Sequence, residues 1–422
     1  MKSKSVHNKY IGKMIATLCI LCMLISLCGC SCAKKNEETD KIQQTTNEGA
    51  SEDRITEATT TEDETKKDIT AEATTTQNET REDVTTETTE DVKKPTYEDT
   101  TKESSVENET TQNENDTFTG TPYGEHGKLS VSGVNILDKN GNTFQLKGVS
   151  THGISWFPQY VSYDTFKYLR DSWGANVVRI AMYTAEYNGY CSGGNRDDLK
   201  TLVKKDIDAA TELGMYVVVD WHILSDSNPL THKTEAINFF NEISSYYKAN
   251  DNIIYEICNE PNGGTSWSDI KSYANEIIPV IRANDPDAII VVGTPTWSQD
   301  VDTASWDKIT GYDNIMYTLH YYAATHKQWL RDKAQTAINN GCALFVTEFS
   351  ICDASGNGAL DKTEADLWLD FLNKNGISFI GWNLANKNES SSLFLRSCNK
   401  VHGFADSDLS EWAKWLRGAI EE

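Results

Sequence analysis

Short, mostly apolar runs alternate with helical patterns from about residue 118 to the end of this 422-residue chain. The runs span residues 145–149, 177–182, 216–220, 253–257, 289–293, 315–319, 344–347 and 379–384. Continuous apolar runs are typical of strands buried on both faces, as in a parallel sheet. Helical patterns follow most of them, for example at 198–213, 233–248 and 366–375, and a last one lies near 409–420. Eight strand-and-helix units predict a (β/α)8 TIM barrel, in which only the fifth helix is weakly indicated.

A small N-terminal β-hairpin is predicted in front of the barrel. Residues 128–134 and 136–142 alternate between polar and apolar positions around turn residues, which is the pattern of two short antiparallel strands. We expect this hairpin to close the floor of the barrel.

The first 30 residues have the composition of an export signal. They hold four Lys, no acidic residue and an apolar run over 14–27. That run is short for a membrane-spanning helix, which needs about 20 residues. Its end, Leu-Cys-Gly-Cys at 27–30, resembles a bacterial lipobox, so we predict a lipoprotein-type signal peptide over 1–30 with lipidation at Cys30. An ordinary signal peptide, or use of a neighbouring cysteine, is the alternative.

Residues 31–117 are rich in Thr and Glu and have low complexity. They contain 25 Asp and Glu against 10 Lys and Arg, a net charge of −15, and supply most of the −24 of the whole chain. Leu, Phe and Trp are absent from this stretch. Such a segment cannot bury enough apolar surface to offset the entropy of ordering it. We predict a disordered acidic linker over 31–117 and a catalytic barrel over 118–422, held at the extracellular face of the membrane.

Cysteine spacing and charge exclude several classes of function. Five cysteines lie beyond the export signal, namely Cys191, Cys258, Cys342, Cys352 and Cys398. They are scattered and show no Cys-x-x-Cys spacing, which argues against a metal site or a dense disulfide framework and leaves open a single disulfide. The acidic balance argues against nucleic acid, and no glycine-rich phosphate loop stands out. We expect no metal and no cofactor.

Two glutamates point to the chemistry of the barrel. Glu260 follows the fourth apolar run, and Glu348 closes the seventh. A carboxylate there is costly to bury and gives nothing to packing. In a (β/α)8 barrel the active site lies at the C-terminal ends of the strands, where two carboxyl groups can perform acid/base and nucleophilic work on an acetal. Strand-end glutamates that cap helices or pair with Arg are the structural alternative.

Other polar and aromatic residues recur at the ends of the same runs. They are His152 and Trp156 after the first, Arg179 in and Tyr183 after the second, His222 after the third, Asn259 after the fourth, Trp297 after the fifth, His320 and Tyr322 after the sixth, and Trp382, Lys387 and Glu389 in or after the eighth. Trp and Tyr offer flat apolar faces to sugar rings, and their polar tips bond hydroxyls. Trp156, Trp297 and Trp382 are therefore predicted to contact substrate. Four other tryptophans at helical spacing are predicted to be core residues, namely Trp173, Trp368, Trp412 and Trp415.

Residues 124–422 resemble glycoside hydrolase family 5, specifically its bacterial cellulase (endo-β-1,4-glucanase) branch. The resemblance rests on collinear motifs such as IYEICNEPN at 254–262 and FVTEF at 345–349, together with 150–153, 177–183, 215–224, 292–302, 316–322 and 386–390. It implies an endo-acting retaining enzyme that hydrolyses cellulose and related β-glucans through a covalent glycosyl-enzyme intermediate, without a cofactor.

The resemblance also implies roles for single residues. It makes Glu260 the acid/base and Glu348 the nucleophile, which Arg179 and Tyr322 hold. Further roles follow for the sugar contacts: Asn259 at the 2-hydroxyl, His222 and His320 along the reacting subsite, Trp382 as its floor, His152, Trp156, Lys387 and Glu389 on the glycone side, and Tyr183 and Trp297 as cleft wall. The chain departs from the family pattern in having Phe349, where Trp is frequent, and Cys258, where Ala is usual; the first could reshape the cleft near Glu348.

Three alternatives remain open at this stage. The same chemistry could act on mannan, xyloglucan, xylan or mixed-linkage glucan, because loop residues decide that preference. A transglycosylase would share the site, and a non-catalytic glycan-binding lipoprotein should have lost one of the two glutamates. We expect a monomer whose partners are a β-glucan polysaccharide or oligosaccharide and, through the lipid anchor, a membrane.

Overall fold

The computed structural model of the protein describes residues 118–422, and every structural statement below concerns that range. The predicted signal peptide, Cys30 and the predicted linker 31–117 lie outside the described residues. Within the described range, no helix is both long enough and apolar enough to cross a membrane.

The predicted hairpin is present and lies beneath the barrel. Strand β1 (Ser130–Ser132) pairs antiparallel with β2 (Asn135–Leu137). Leu129 and Ile136 are buried there, in a cluster with apolar side chains from inside the barrel. The hairpin therefore closes the floor, as the alternating pattern predicted.

Eight parallel strands form a closed barrel in chain order, with the last strand paired to the first. They are β3 (Lys147–Thr151), β4 (Val177–Tyr183), β5 (Tyr216–His222), β6 (Ile253–Glu256), β7 (Ile289–Val292), β8 (Ile315–Tyr322), β9 (Leu344–Ser350) and β10 (Ser378–Leu384). Each overlaps one predicted apolar run, so the predicted (β/α)8 TIM barrel is confirmed. The reason is burial on both faces, since nearly every strand residue is shielded from water.

Two strand ends differ from the sequence pattern. Strand β6 ends at Glu256, so Glu260 lies four residues beyond the strand, although the apolar run continues to Cys258. Ile257 and Cys258 are buried without belonging to the ladder, which is why the run overstates the strand. Glu348, by contrast, lies inside β9.

Helices surround the barrel. They span Pro122–His126, Tyr163–Trp173, Arg196–Glu212, Lys233–Tyr246, Trp267–Arg282, Val301–Trp306, Gln328–Asn339, Lys362–Asn375 and Glu411–Glu421. Several begin at a side-chain cap, such as Ser266, whose hydroxyl and Asp269 form a capping box. After β7 only a four-residue turn, Pro295–Ser298, and the six-residue helix Val301–Trp306 follow. The shortness of this helix explains the weak signal for a fifth helix.

The four tryptophans that helical spacing predicted to be core residues pack into the core. Trp173, Trp368 and Trp412 are fully buried, and Trp415 packs partly buried against the same core.

The five cysteines of the described range are all free thiols. The single disulfide that the sequence left open is therefore not formed there.

Candidate active site

One open cleft of about 600 Å³ lies at the C-terminal ends of the strands. It brings together eleven of the fourteen site residues predicted from the sequence, namely His152, Tyr183, His222, Glu260, Trp297, His320, Tyr322, Glu348, Trp382, Lys387 and Glu389. The other three adjoin it. Arg179 is fully buried and contacts Glu348, Asn259 is fully buried and accepts a hydrogen bond from Arg179, and the ring of Trp156 packs beside the cleft on His152.

Two neighbours hold the carboxyl group of Glu348. The Tyr322 hydroxyl donates to Glu348 Oε1 over 2.7 Å, and Arg179 Nη1 lies 3.3 Å from Oε2. Strand pairing fixes this arrangement, because His320 in β8 faces Glu348 in β9 and Tyr322 follows two residues later on the same side of the strand. Glu348 as a whole residue is only 5% exposed.

Arg179 is the centre of a buried charge network. Its Nε donates to Glu256 over 2.7 Å, and its Nη2 lies 3.0 Å from Asp220 and 2.7 Å from the side-chain oxygen of Asn259. Burial disfavours the charge of the guanidinium, but Asp220, Glu256 and Glu348 outweigh that effect and raise the pKa of Arg179. The cation therefore stays charged and fixes the carboxylates around it.

Glu260 lies opposite Glu348 in the cleft. Its Oε1 is 2.9 Å from Nδ1 of His320. One side-chain nitrogen or oxygen atom from each of Glu260, His320 and Glu348 lies within 4.8 Å of the corresponding atoms of the other two. This puts a carboxyl oxygen of Glu260 close to one of Glu348, near the 5–5.5 Å of retaining carboxyl pairs and below the roughly 6.5 Å at which inverting pairs begin.

Burial perturbs the proton affinity of both glutamates. It raises the pKa of Glu260 to about 8; Arg179 opposes this rise, and Asp220 and Glu256 add to it. Burial also raises the pKa of Glu348 to about 7, which Glu260 increases further while His320, Arg179 and the Tyr322 hydrogen bond oppose it. Like charges this close cannot both ionise easily, and Arg179 and the Tyr322 hydroxyl favour the ionised form of Glu348. Arg179 and Tyr322 act on Glu348 in the direction expected from the sequence, but burial outweighs them.

Three histidines in the cleft wall are held as neutral rings. Burial lowers the pKa of His152 to about 3, that of His320 to about 4, and that of His222 well below its usual value. His222 Nδ1 lies 2.6 Å from Asp220, whose own pKa burial raises to about 7 against the pull of Arg179. The backbone N–H of Gly153 donates to Nδ1 of His152 over 2.7 Å, which leaves Nε2 as the protonated nitrogen.

Aromatic rings build the wall and floor on one side of the cleft. The ring of Trp382 stacks on His222 with centroids 5.2 Å apart and an interplanar angle of 13°. The ring of Trp156 packs 5.4 Å from His152 and 5.2 Å from Tyr183, and its indole N–H donates to the carbonyl of Tyr187. These contacts fix the orientation of each ring, so that flat apolar faces stand ready for a ligand with apolar surfaces.

Lys387 and Glu389 follow β10 on the same side. Lys387 Nζ lies 2.6 Å from Glu389 Oε2, and Asn383 Nδ2 donates to Oε1 over 3.2 Å. His152 Nε2 is 3.9 Å from the same Oε1, beyond hydrogen-bonding distance. Lys387 and Glu389 therefore form one charged edge of the cleft, next to the neutral ring of His152.

Trp297 reaches the cleft from an unusual backbone turn. Thr296, Trp297 and Ser298 all have φ between 54° and 59°, a left-handed conformation that L-residues adopt at a cost of roughly 1–2 kcal/mol each. The segment around Glu260 holds this turn, because Trp297 N donates to the carbonyl of Pro261 over 3.0 Å and the Ser298 hydroxyl donates to that of Asn259 over 2.6 Å. The indole remains 45% exposed.

Phe349 does not reshape the cleft, contrary to the possibility raised from the sequence. It is 1% exposed and packs outward, 5.0 Å from the ring of Tyr321 and 5.3 Å from that of Trp412. The reason is the alternation of side chains along β9, which turns Phe349 to the helix side when Glu348 faces the cleft. Cys258 is fully buried as well.

Sequence reasoning missed several residues of this site. Asp220, Glu256 and Thr347 are fully buried and bonded to site residues. The cleft is also lined by Leu224, Gln299, His326, Ala354, Ser355, Gly356 and Ser391. Glu256 could have been found by the argument that selected Glu260, because it is a carboxylate inside an apolar run. The loop residues carry no comparable signal.

The fold and the site define a class of protein. A (β/α)8 barrel with a close pair of carboxyl groups and aromatic walls at its C-terminal end has the arrangement of a glycoside hydrolase. Residues 137–388 match the family model described as cellulase, glycosyl hydrolase family 5. The chain belongs to this family.

Curated relatives and solved structures agree with that assignment. The chain is 49% identical over 300 residues to endoglucanase A from Butyrivibrio fibrisolvens, which covers 70% of this chain and 69% of the relative. It is 50% identical over 295 residues to an endoglucanase from Clostridium saccharobutylicum, which covers 70% and 65%. The chain thus spans about two thirds of these relatives.

Two solved structures show the same fold. A cellulase described as Cel5C_n has a TM-score of 0.68 and 40% identity, and the match covers 72% of this chain and 95% of that one. A catalytic-domain variant of endoglucanase Cel5A from Thermobifida fusca, in complex with cellotetraose, has a TM-score of 0.68 and 35% identity, with 72% and 100% covered.

Proposed function

We propose that the protein is an endo-acting, retaining β-1,4-glucanase that hydrolyses internal bonds of cellulose and related β-glucans. The observation that carries this proposal is the close carboxyl pair, with oxygens of Glu260 and Glu348 within 4.8 Å in an open cleft. A pair this close leaves too little room for a water between the second carboxylate and the sugar, so that carboxylate attacks directly.

The reaction proceeds in two displacements. In the first, Glu348 attacks the anomeric carbon, the bond from that carbon to the leaving oxygen breaks, and Glu260 gives its proton to that oxygen. In the second, Glu260 takes a proton from water, which attacks the same carbon and releases Glu348. The raised pKa of Glu260 keeps its proton available near neutral pH for the first step.

The surrounding residues serve the carboxyl pair and the sugar next to it. Arg179 and Tyr322 hold Glu348 in position for attack. Asn259, whose side-chain oxygen accepts from Arg179, has an amide hydrogen for the 2-hydroxyl. His222 and His320 line the reacting subsite, and Trp382 forms its floor.

The remaining residues bind the glucan on either side of the bond that breaks. His152, Trp156, Lys387 and Glu389 contact the glycone side, and Tyr183 and Trp297 form the wall of the cleft. The cleft is open at the surface, as an enzyme that accepts internal bonds of a long chain requires. Relatives named endoglucanases and a related domain in complex with cellotetraose support a β-1,4-glucan as the substrate.

The stereochemistry of azide rescue tests the two roles. In Glu348→Gly, azide can enter the vacated space and attack an activated aryl β-cellobioside from the opposite face, which gives an inverted product. In Glu260→Ala, the same substrate still glycosylates Glu348 because its leaving group needs little protonation, and azide then releases a retained product. The two anomers are distinguished by proton NMR.

Each outcome has a definite meaning. Swapped anomers would reverse the two roles, and near-normal hydrolysis of polymer by both variants would overturn the glycosidase assignment. Product profiles of the unaltered enzyme on carboxymethyl-cellulose, mannan, xyloglucan, xylan and mixed-linkage glucan test the substrate. A clear preference for one of the others would replace cellulose while leaving the mechanism intact, and oligosaccharide products longer than the substrate would indicate transglycosylation.

We also propose that the enzyme works as a monomer on the extracellular face of a membrane, anchored through a lipid on Cys30. The proposal rests on the lipobox-like sequence at 27–30 and on the polar segment that follows it. A Cys30→Ala variant should fail to partition into the membrane fraction of the native host. Unchanged partitioning of that variant would refute anchoring through Cys30.

A further inference from the structure

A chain of three buried side chains connects the guanidinium of Arg179 to the carboxyl group of Glu260. Arg179 Nε donates to Glu256 Oε2 over 2.7 Å, and Glu256 Oε1 lies 2.6 Å from the Thr347 hydroxyl. That hydroxyl lies 2.9 Å from His320 Nε2, and His320 Nδ1 lies 2.9 Å from Glu260 Oε1. All members are at most 2% exposed except Glu260 at the cleft surface.

The direction of each hydrogen bond follows from the donors available. Glu256, paired with a guanidinium, is a carboxylate and only accepts. The single hydrogen of the Thr347 hydroxyl must therefore point to Glu256, so the oxygen of Thr347 can only accept from His320. His320 consequently carries its proton on Nε2, and a neutral ring then has a lone pair on Nδ1.

That lone pair faces an oxygen of Glu260 at hydrogen-bonding distance. Two acceptors cannot form a hydrogen bond with each other, so Glu260 must supply the hydrogen as a carboxylic acid. A hydrogen bond that only the neutral acid can make stabilises the protonated form.

We propose that Thr347 and Glu256 are positioning residues that lock His320 in the Nε2–H tautomer, so that His320 holds the proton of Glu260 ready for donation. The inference rests on the proposed function, in which Glu260 is the acid. Thr347 and Glu256 thus control the protonation state of Glu260, although neither of them contacts it.

Placing the proton on His320 instead would give an imidazolium beside an ionised Glu260. The charged or titratable groups around this pair are Arg179 and Tyr183 from β4, Asp220 and His222 from β5, Glu256 from β6, Tyr322 and Glu348 from β8 and β9, and His326 just after β8. Burial, together with the positive charge of Arg179, lowers the pKa of His320 to about 4, although Glu348 and Glu256 oppose that shift. The imidazole therefore stays neutral and the proton stays on Glu260.

Thr318 provides a matched control for Thr347. Both residues are fully buried, and the Thr318 hydroxyl also bonds Glu256 Oε1, over 3.2 Å. No hydrogen bond between Thr318 and His320 exists among the described residues. Thr347→Val and Thr318→Val therefore remove the same group and the same kind of bond to Glu256, while only the first removes the acceptor of His320 Nε2–H.

The test compares pH–rate profiles of full-length enzyme on two aryl β-cellobiosides, one with a good and one with a poor leaving group. In Thr347→Val the Nδ1–H tautomer becomes favourable, and it donates to ionised Glu260. For the substrate with the poor leaving group, the apparent pKa of the basic limb of kcat/KM should fall by about one unit. That shift corresponds to a roughly tenfold lower proton affinity of Glu260. The pH profile of kcat/KM on the substrate with the good leaving group should change little. Thr318→Val and the rescue variant Thr347→Ser should keep the profile of the unaltered enzyme.

An independent readout is the His320 tautomer in the long-range proton–nitrogen spectrum of histidine-labelled protein, assigned with His320→Gln. We expect Nε2 protonated in the unaltered enzyme and a shift toward Nδ1 protonation in Thr347→Val. Protonated Nδ1 in the unaltered enzyme would overturn the inference. So would equal losses on both substrates without a pH shift, or identical behaviour of the two valine variants. If Glu260→Ala retains activity on polymer, the proposed function fails instead, and the tautomer result is unaffected.

Discussion

The floor of the barrel and the layer just above it are equally buried but chemically opposite. Val177, Val218 and Ile254 face an apolar cluster at the floor, whereas residues two positions further along the same strands are Arg179, Asp220 and Glu256. Because side chains alternate along a strand, a step of two residues keeps the same side of the sheet and moves about 7 Å along it. One barrel interior thus changes from apolar to charged within a single step.

Different forces hold the two layers. The floor is stabilised by removal of apolar surface from water, which depends little on direction. The upper layer tolerates burial only because each charge meets a partner, as Arg179 meets three carboxylates. Changes at the floor should therefore alter stability alone, and changes in the upper layer should alter stability and chemistry together.

The largest effect should come from Arg179→Met. It leaves Asp220, Glu256 and Glu348 without their shared cation, and breaking a buried pair in this way costs roughly 3–5 kcal/mol. Because Arg179 also holds Glu348, kcat should drop by about 10²–10³-fold or more. Denaturant unfolding and steady-state kinetics measure both effects.

A surface cation at the floor end gives the control for that variant. Lys128 pairs with Asp251 and Asp287 at 2.8 Å and is about a third exposed. Lys128→Met should cost no more than about 1 kcal/mol and leave kcat unchanged. Equal destabilisation by the two variants would contradict the view that buried pairing sustains the upper layer.

Ile254→Ala should lower stability without altering the chemistry. Ile254 is 2% exposed, and truncating a buried Ile costs about 2–5 kcal/mol through lost burial and a cavity. Ile254→Val, at about 0.5–1.5 kcal/mol, gives the graded control. The pH–rate profile of both variants should match that of the unaltered enzyme; a shifted profile would mean that the two layers are coupled.

Asp206 shows what burial does to a carboxyl group without a partner. It is fully buried in helix Arg196–Glu212, and neither carboxyl oxygen has a hydrogen-bond partner within residues 118–422. Burial raises its pKa well above the usual value, against a small opposing effect of Lys205. The folded state therefore keeps a proton that the unfolded state loses above about pH 4, and stability falls as pH rises from there to the folded pKa.

Asp206→Asn removes that dependence. The stability of the variant relative to the unaltered protein should rise with pH, at up to about 1.4 kcal/mol per unit across this window. Urea unfolding at pH 5 and pH 8 measures the change. The same difference in free energy of unfolding between the two proteins at pH 5 and at pH 8 would show that Asp206 ionises normally in the folded state.

The smallest effect should come from deleting residues 1–117. Their composition offers too little apolar surface to form part of either layer. We therefore expect kcat/KM on a soluble glucan to stay nearly intact in a variant that begins at residue 118. A large loss would mean that the segment contributes to the catalytic barrel.

The sequence by itself determined the barrel, the order of its strands and most of the cleft. Strands buried on both faces must be apolar along their whole length, so their number and order are readable without knowledge of their partners. Glu260 and Glu348 stood out for the same reason, since a carboxylate has no place in an apolar run unless it serves chemistry or pairing. The weak fifth helix was also readable, because the residues between β7 and β8 form only the six-residue helix Val301–Trp306 after a short turn.

Only the tertiary structure decided how these residues are paired. Arg179 meets Glu348 across 169 positions of sequence and Glu256 across 77, and Thr347 meets Glu256 across 91. Such contacts exist only after the barrel closes, so no local pattern encodes them. The left-handed turn that carries Trp297 contains no glycine, and bonds to Asn259 and Pro261 hold it in place. Residue types and spacing thus predict which groups reach the cleft, whereas closure of the barrel determines which group each of them protonates, orients or holds.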